Sequence, residues 1–226
     1  MKKYKYLLFD VDMTLLDFKK SEKFALKNTV EYFGHEFNED ILKIYATINQ
    51  NYWEKYEKGE VKKEILIYAR FADFLDTLNW AGDEKAWEDF YQNSMGETAF
   101  VIDGAEEVLE TLYQKYPLYV ISNGTGKTQR SRLKNANLLK YFRYLFISEE
   151  LGVQKPEKAF FEKVLNTVGK NKSDFLVIGD SLTSDVLGAN NSGLDVCWYN
   201  FQKIKNSKYD ITYEISSLSE LIKLLS

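Results

Sequence analysis

Apolar and polar residues change period along this chain. Short runs rich in β-branched and aromatic residues recur at 4–11, 118–122, 144–148, 175–179, 195–199 and 212–215, and read as strands. Amphipathic stretches lie between them at about 104–115, 126–138, 156–168 and 183–192, with a last one at about 217–225. Apolar strands alternating with helices predict an α/β fold: a Rossmann-like parallel sheet covered on both faces.

One long segment lacks the strand pattern. From Asp17 to Phe100 the apolar positions fall three or four apart, as in Ile41, Tyr45, Ile48, Tyr52 and Tyr56. Gly34 and Gly59 read as helix stops. The expected organisation is an α/β core of residues 1–16 and 101–226, interrupted by an all-helical domain of residues 17–100. Repeats, low-complexity tracts and proline-rich linkers are absent from the sequence.

Composition narrows the chemistry. The 226 residues are 45% apolar and 28% charged, as in an ordinary globular protein. A net charge of −4 with mixed signs offers no footprint for nucleic acid. No apolar run approaches a membrane span. The start, MKKYKYLLFD, is basic and then apolar like a signal peptide. Its apolar part is short and Asp10 interrupts it, so it reads as a first strand of a cytoplasmic protein. The single cysteine, Cys197, excludes an internal disulfide framework. The single histidine, His35, excludes multi-histidine zinc sites, and its setting in GHEF reads as a surface or capping residue in a turn. Carboxylates, hydroxyls, lysine and an oxygen-loving metal are left to carry the chemistry. Composition leaves open whether the chain is a monomer or a homodimer.

Those groups recur at strand ends. Residues 7–18, LLFDVDMTLLDF, put Asp10 and Asp12 on one side of an extended strand, about 7 Å apart. They lie at its carboxyl end, where open α/β sheets bind ligands. Alone, such a pair is equally a turn cap. The strand at 118–122 ends in SNGTG, with Ser122, Asn123 and two glycines opening a helix whose amides suit an anion. The strand at 175–179 ends in GDSLTSD, adding Asp180 and Asp185. In QKPEKAFF, Pro156 fits the first turn of a helix and fixes Lys155 just before it. A parallel sheet would gather all of these at one edge. Four carboxylates with a substrate phosphate call for a divalent cation with oxygen ligands, Mg2+. A carboxylate about 4 Å from a phosphate dianion is opposed by about 8 kcal/mol at an effective dielectric of 20. Attack by an aspartate therefore needs both the metal and Lys155.

Taken together, DVDMT at 10–14, SN at 122–123, KP at 155–156 and GDSLTSD at 179–185 resemble the haloacid dehalogenase (HAD) superfamily. The helical insertion resembles its C1-type cap. YWEKYEKGEV, ISEELGVQKP and GLDVCWYN bring the chain nearer to the pyrimidine 5′-nucleotidases of the YjjG and YfnB type. Met13 departs from the glycine commonest in the superfamily. The resemblance implies a Mg2+-dependent phosphomonoester hydrolase. Asp10 would be the nucleophile and form an aspartyl-phosphate. Asp12 would protonate the leaving alcohol and then deprotonate water. Asp10, Asp180 and the backbone carbonyl of Asp12 would hold Mg2+. Asp185 would hold metal-bound water or orient Lys155, and Thr14 would brace the loop. Ser122, Asn123 and Lys155 would grip the phosphoryl oxygens.

The implied substrate is a nucleoside monophosphate. Dehalogenases of the superfamily lack the second aspartate, so Asp12 favours phosphoryl chemistry. The same core also fits a sugar-phosphate or phosphoglycolate phosphatase or a β-phosphoglucomutase-like mutase. A phospho-accepting receiver-like signalling module uses similar groups, but lacks a helical cap and places its acceptor after the third strand. In the insertion, Tyr52, Trp53, Tyr56, Trp80 and Trp87 read chiefly as interior packing, with one or two free to stack on a base. Arg70, one of four arginines, reads chiefly as a surface ion pair, with contact to substrate as the alternative.

Overall fold

The computed structural model describes residues 3–226. They group into two compact units: the residues up to Phe18 together with Ala99–Ser226, and Lys19–Thr98. In chain order the elements are β1 (Tyr6–Phe9), four helices α1 (Phe18–Tyr32), α2 (Glu39–Glu57), α3 (Lys63–Leu78) and α4 (Glu84–Gly96), then α5 (Ala105–Tyr113), β2 (Leu118–Ser122), α6 (Gly126–Asn135), β3 (Phe142–Ile147), α7 (Ser148–Leu151), α8 (Lys158–Val168), β4 (Phe175–Gly179), α9 (Leu187–Ser192), β5 (Asp195–Tyr199), β6 (Tyr213–Ile215) and α10 (Glu220–Leu224).

In the first unit the six strands form one parallel sheet, ordered β3-β2-β1-β4-β5-β6. Both faces are buried, which is why the strands read as near-continuous apolar runs. Leu7 and Phe9 pack with Val108 of α5, Leu133 of α6 and Leu221 of α10 on one face, while Leu8 packs with Phe160 and Val164 of α8 and Ala189 of α9 on the other. All of these side chains are fully buried, and each Leu, Val and Phe among them contributes about 1.5–3 kcal/mol relative to exposure.

The structure trims several sequence expectations. The first strand ends at Phe9, short of the expected 4–11, because the chain then turns: the N–H groups of Thr14, Leu15 and Leu16 all converge on the Val11 carbonyl. Met13 in this turn has φ 63°, the left-handed region where glycine is at ease. Pro156 does not start a helix. It follows a cis Lys155–Pro156 bond and precedes α8 by two residues. The stretch 183–192 opens with a π-helical turn, Leu182–Val186, before α9.

In the second unit Gly34 and Gly59 take left-handed φ values of 83° and 74° just beyond α1 and α2. The Asn38 side chain caps α2 by accepting from the N–H groups of Asp40 and Ile41, each at 3.0 Å. Tyr45, Phe71, Phe74, Trp87 and Tyr91 form the interior, with Tyr56 also buried and Tyr52, Trp53 and Trp80 half-buried. His35 lies flat on Trp80, with ring centroids 3.8 Å apart. Arg70 corrects the sequence expectation of a surface ion pair. It is buried, and its Nη2 donates to Glu88 Oε2 at 2.6 Å while Nη1 donates to Asn49 Oδ1 at 2.7 Å. A cation inside aromatic helices needs such a partner, since burying it alone is prohibitive. Among the described residues no helix is long and apolar enough to cross a membrane.

Candidate active site

Asp10 sits one residue past β1, and its N–H donates to the Ile178 carbonyl of β4 at 2.9 Å. That pairing sets it beside Asp180, one residue past β4. The strand order reverses about this pair, at the carboxyl edge where doubly wound sheets bind ligands. The π-helical turn carries Asp185 back beneath them. Carboxylate oxygens of Asp10, Asp180 and Asp185 lie within 4.8 Å of one another. Asp185 is fully buried and accepts from the Ser181 N–H at 3.2 Å. Gly179 makes this possible: a Cβ there would lie 2.2 Å from Asp185 Oδ2.

Lys155 enters the same cluster from below. Its buried ammonium donates to Asp10 Oδ1 at 2.7 Å, Asp185 Oδ1 at 2.6 Å and the Ile121 carbonyl at 3.0 Å. Three donors meet three acceptors, so its orientation is fixed. The Asn123 amide holds the lysine's own backbone at both ends, donating to the Lys155 carbonyl at 2.8 Å and accepting from the Lys155 N–H at 2.9 Å. Asn123 thus places Lys155 through the main chain.

Burial dominates the electrostatics. It pushes the Asp10 carboxyl up to about 7; Lys155 opposes this, while Asp185 and Asp12 add to it. Asp180 is raised well above the usual carboxylate range by burial and by the charges of Asp10 and Asp185. Burial pulls the Lys155 ammonium down, but Asp10 and Asp185 outweigh it and the net movement is upward. With all three carboxylates ionised, as a bound cation would favour, one lysine charge leaves negative charge in excess. Such an all-oxygen set suits a hard divalent cation.

Asp12 is held differently. Its Oδ1 accepts from Arg132 Nη1 at 2.5 Å and its Oδ2 from Gln129 Nε2 at 2.5 Å. Gln129 Nε2 also donates to Ser122 Oγ at 2.9 Å, and the Gly124 N–H donates to the same oxygen at 3.0 Å. With both lone pairs of Ser122 filled, its hydroxyl can act further only as a donor. Gln129 and Arg132 were not legible as site residues, because GKTQRSRLKN reads as a solvated polar helix. The one hint is their i,i+3 spacing, which puts both on one face. Of the remaining expected groups, Thr14 is buried and its hydroxyl makes no hydrogen bond. The Gly126 N–H at the start of α6 is taken by Glu149 Oε2 at 2.8 Å.

The family model for haloacid dehalogenase-like hydrolases matches residues 7–199, and the chain belongs to that family. It is 37% identical to YfnB of Bacillus subtilis over 100% of this chain and 97% of that protein. It is 35% identical to the pyrimidine 5′-nucleotidase PynA of Streptococcus pneumoniae, over 98% and 95% of the two chains. Identity to the pyrimidine 5′-nucleotidase YjjG of Escherichia coli is 31%, over 99% and 98%. The crystal structure of YfnB bound to magnesium superposes with a TM-score of 0.93 at 36% identity, covering 99% of each chain.

Proposed function

We propose that this chain is a Mg2+-dependent phosphomonoesterase that acts through a phosphorylated Asp10, and that its preferred substrates are pyrimidine nucleoside 5′-monophosphates. The observation that carries the first part is the Lys155 ammonium bridging Asp10 and Asp185 with Asp180 alongside. Support for the second comes from PynA and YjjG, both named pyrimidine 5′-nucleotidases.

Asp10, Asp180 and the backbone carbonyl of Asp12 would hold the cation, as the shared carboxylate geometry and the excess negative charge allow. When bound, Mg2+ neutralises charge so that a carboxylate and a phosphate can approach. The chain's own groups do the rest. Lys155 holds Oδ1 of Asp10, leaving Oδ2 to attack phosphorus. As the Asp10–phosphorus bond forms, the ester P–O bond breaks and its electron pair stays on the ester oxygen. That oxygen takes a proton from Asp12 and departs as the alcohol. Water then attacks phosphorus and gives its proton to Asp12, the acyl–phosphate bond breaks, and Asp10 is restored with release of phosphate. The Ser122 O–H donates to a phosphoryl oxygen throughout. We assign the choice of leaving group to the helical unit, Lys19–Thr98, which resembles a C1 cap.

The test is phosphate release from dUMP, dTMP, glucose 6-phosphate and phosphoglycolate, with and without Mg2+. The nucleotides should show the higher kcat/KM, and EDTA should abolish turnover. A better sugar phosphate would overturn the nucleotide assignment, and full activity after exhaustive EDTA would overturn the metal assignment.

A further inference from the structure

The α6 helix carries two buried polar side chains that the catalytic scheme does not use. Gln129 and Arg132 are each nearly inaccessible to solvent, on a helix whose composition is otherwise that of an exposed surface. Burying a guanidinium and an amide is costly unless both are fully engaged. Arg132 Nη1 donates to Asp12 Oδ1 at 2.5 Å and to Gln129 Oε1 at 3.0 Å. The second contact fixes which end of the Gln129 amide is which: Oε1 faces Arg132, so Nε2 faces Asp12 Oδ2 and Ser122 Oγ. Arg132 therefore orients Gln129, and the two together define where the Asp12 carboxylate and the Ser122 hydroxyl point. Gly124 is part of the same arrangement, since a Cβ there would lie 2.4 Å from Gln129 Nε2.

We propose that Arg132 and Gln129 are positioning residues that aim Asp12 at the leaving-group oxygen and keep Ser122 as a donor toward the phosphoryl group. The inference rests on Asp12 acting on the leaving-group proton, as proposed above. Arg132 grips Oδ1 through an ion pair whose guanidinium is buried and whose carboxylate is half-buried, a charge-assisted contact harder to break than a neutral one. Gln129 holds Oδ2 through a neutral donor that it shares with Ser122. Oδ2 is accordingly the oxygen that exchanges its contact for the ester oxygen during proton transfer, while Oδ1 stays anchored.

A misaimed general acid matters most when the leaving group is a poor one. A nucleoside 5′-alkoxide needs its proton, whereas p-nitrophenolate leaves without one. The experiment compares kcat/KM, which ends at release of the alcohol, and kcat for dUMP and p-nitrophenyl phosphate in Arg132→Met, Arg132→Lys, Gln129→Leu, Gly124→Ala and Asp12→Asn, with thermal melts to confirm folding. Arg132→Met and Gln129→Leu should lower kcat/KM for dUMP by about 10²-fold, the scale of a 1 Å misplacement. Their kcat/KM on p-nitrophenyl phosphate should fall by less than a tenth of that factor, while kcat, which includes the shared water step, falls on both substrates. Arg132→Lys, which keeps the charge but loses the fork, should recover part of the loss. Gly124→Ala displaces Gln129 without removing it and should give the Gln129→Leu pattern, which covers the case in which a buried substitution fails to fold. If the Arg132 and Gln129 variants lower kcat/KM for both substrates equally, or for neither, the positioning role is overturned. Asp12→Asn separates the two levels: if it too lowers kcat/KM for both substrates equally, the assignment of Asp12 as the acid for the leaving group falls first. If it alone discriminates between them, that assignment stands and only the positioning role is lost.

Discussion

Arg70→Met should destabilise the helical unit by about 3–5 kcal/mol, the cost of removing one partner from a buried ion pair. The structure gives the terms. Arg70 and Glu88 are only 2% and 3% exposed and meet at 2.6 Å, a separation worth about 6 kcal/mol of attraction at an effective dielectric of 20. Methionine restores apolar contacts and removes the desolvation penalty of the guanidinium. It also leaves the buried Glu88 carboxylate without its cation, and strips Asn49 Oδ1 of its donor. Loss of the cation over the Tyr91 ring, at 5.1 Å, adds about 1 kcal/mol. Replacing both partners, as in Arg70→Met with Glu88→Met, should recover most of the loss, because a buried pair and an apolar pair of similar volume nearly balance. The assay is urea denaturation by tryptophan fluorescence. Trp53, Trp80 and Trp87 lie in the helical unit and Trp198 does not, so a Trp198→Phe background reports that unit alone. A loss below about 1 kcal/mol, or a double variant no better than the single one, would refute the reasoning.

Burial holds the Asp10 carboxyl at about 7, against about 3.9 in an unfolded chain. A raised carboxyl favours folding in its neutral form, so this contribution is present below about pH 4 and is lost as the pH rises through about 7. In EDTA the melting temperature should fall from about pH 5 to about pH 8 more steeply in the wild type than in Asp10→Asn, and Mg2+ should raise it more at the higher pH; equal slopes in the two proteins, or equal Mg2+ shifts at both pH values, would contradict this. Gly179→Ala places a methyl 2.2 Å from Asp185 Oδ2, so Asp185 must move and release Lys155; kcat should fall by about 10²-fold or more, and retention of half the wild-type kcat would show that the site tolerates the shift.

The sequence made the sheet legible because strands buried on both faces leave uninterrupted apolar runs, and because Asp10, Asp12, Ser122 and Asp180 each sit where such a run stops. The polar helix α6 concealed its role for the opposite reason. Gln129 and Arg132 look solvated by composition, and only the fold shows that this face turns inward to Asp12. Arg70 was misplaced on the surface because its partner Glu88 lies 18 residues away on another helix, beyond any local pattern. The π-helical turn that delivers Asp185 also had no signal in GDSLTSD, which scans equally well as α-helix. Asn123, expected to grip phosphate, engages the Lys155 main chain, a contact across 32 residues that no local pattern shows.

The central claim is that Asp10 carries the phosphoryl group. During steady-state turnover of dUMP, acid quench followed by borohydride reduction should convert Asp10, and no other residue, to homoserine in the peptide that contains it. Asp12→Asn, given p-nitrophenyl phosphate, should accumulate more of this adduct because the water step lacks its base. Reduction at a different aspartate, or turnover with no reducible acyl-phosphate in either protein, would contradict the mechanism.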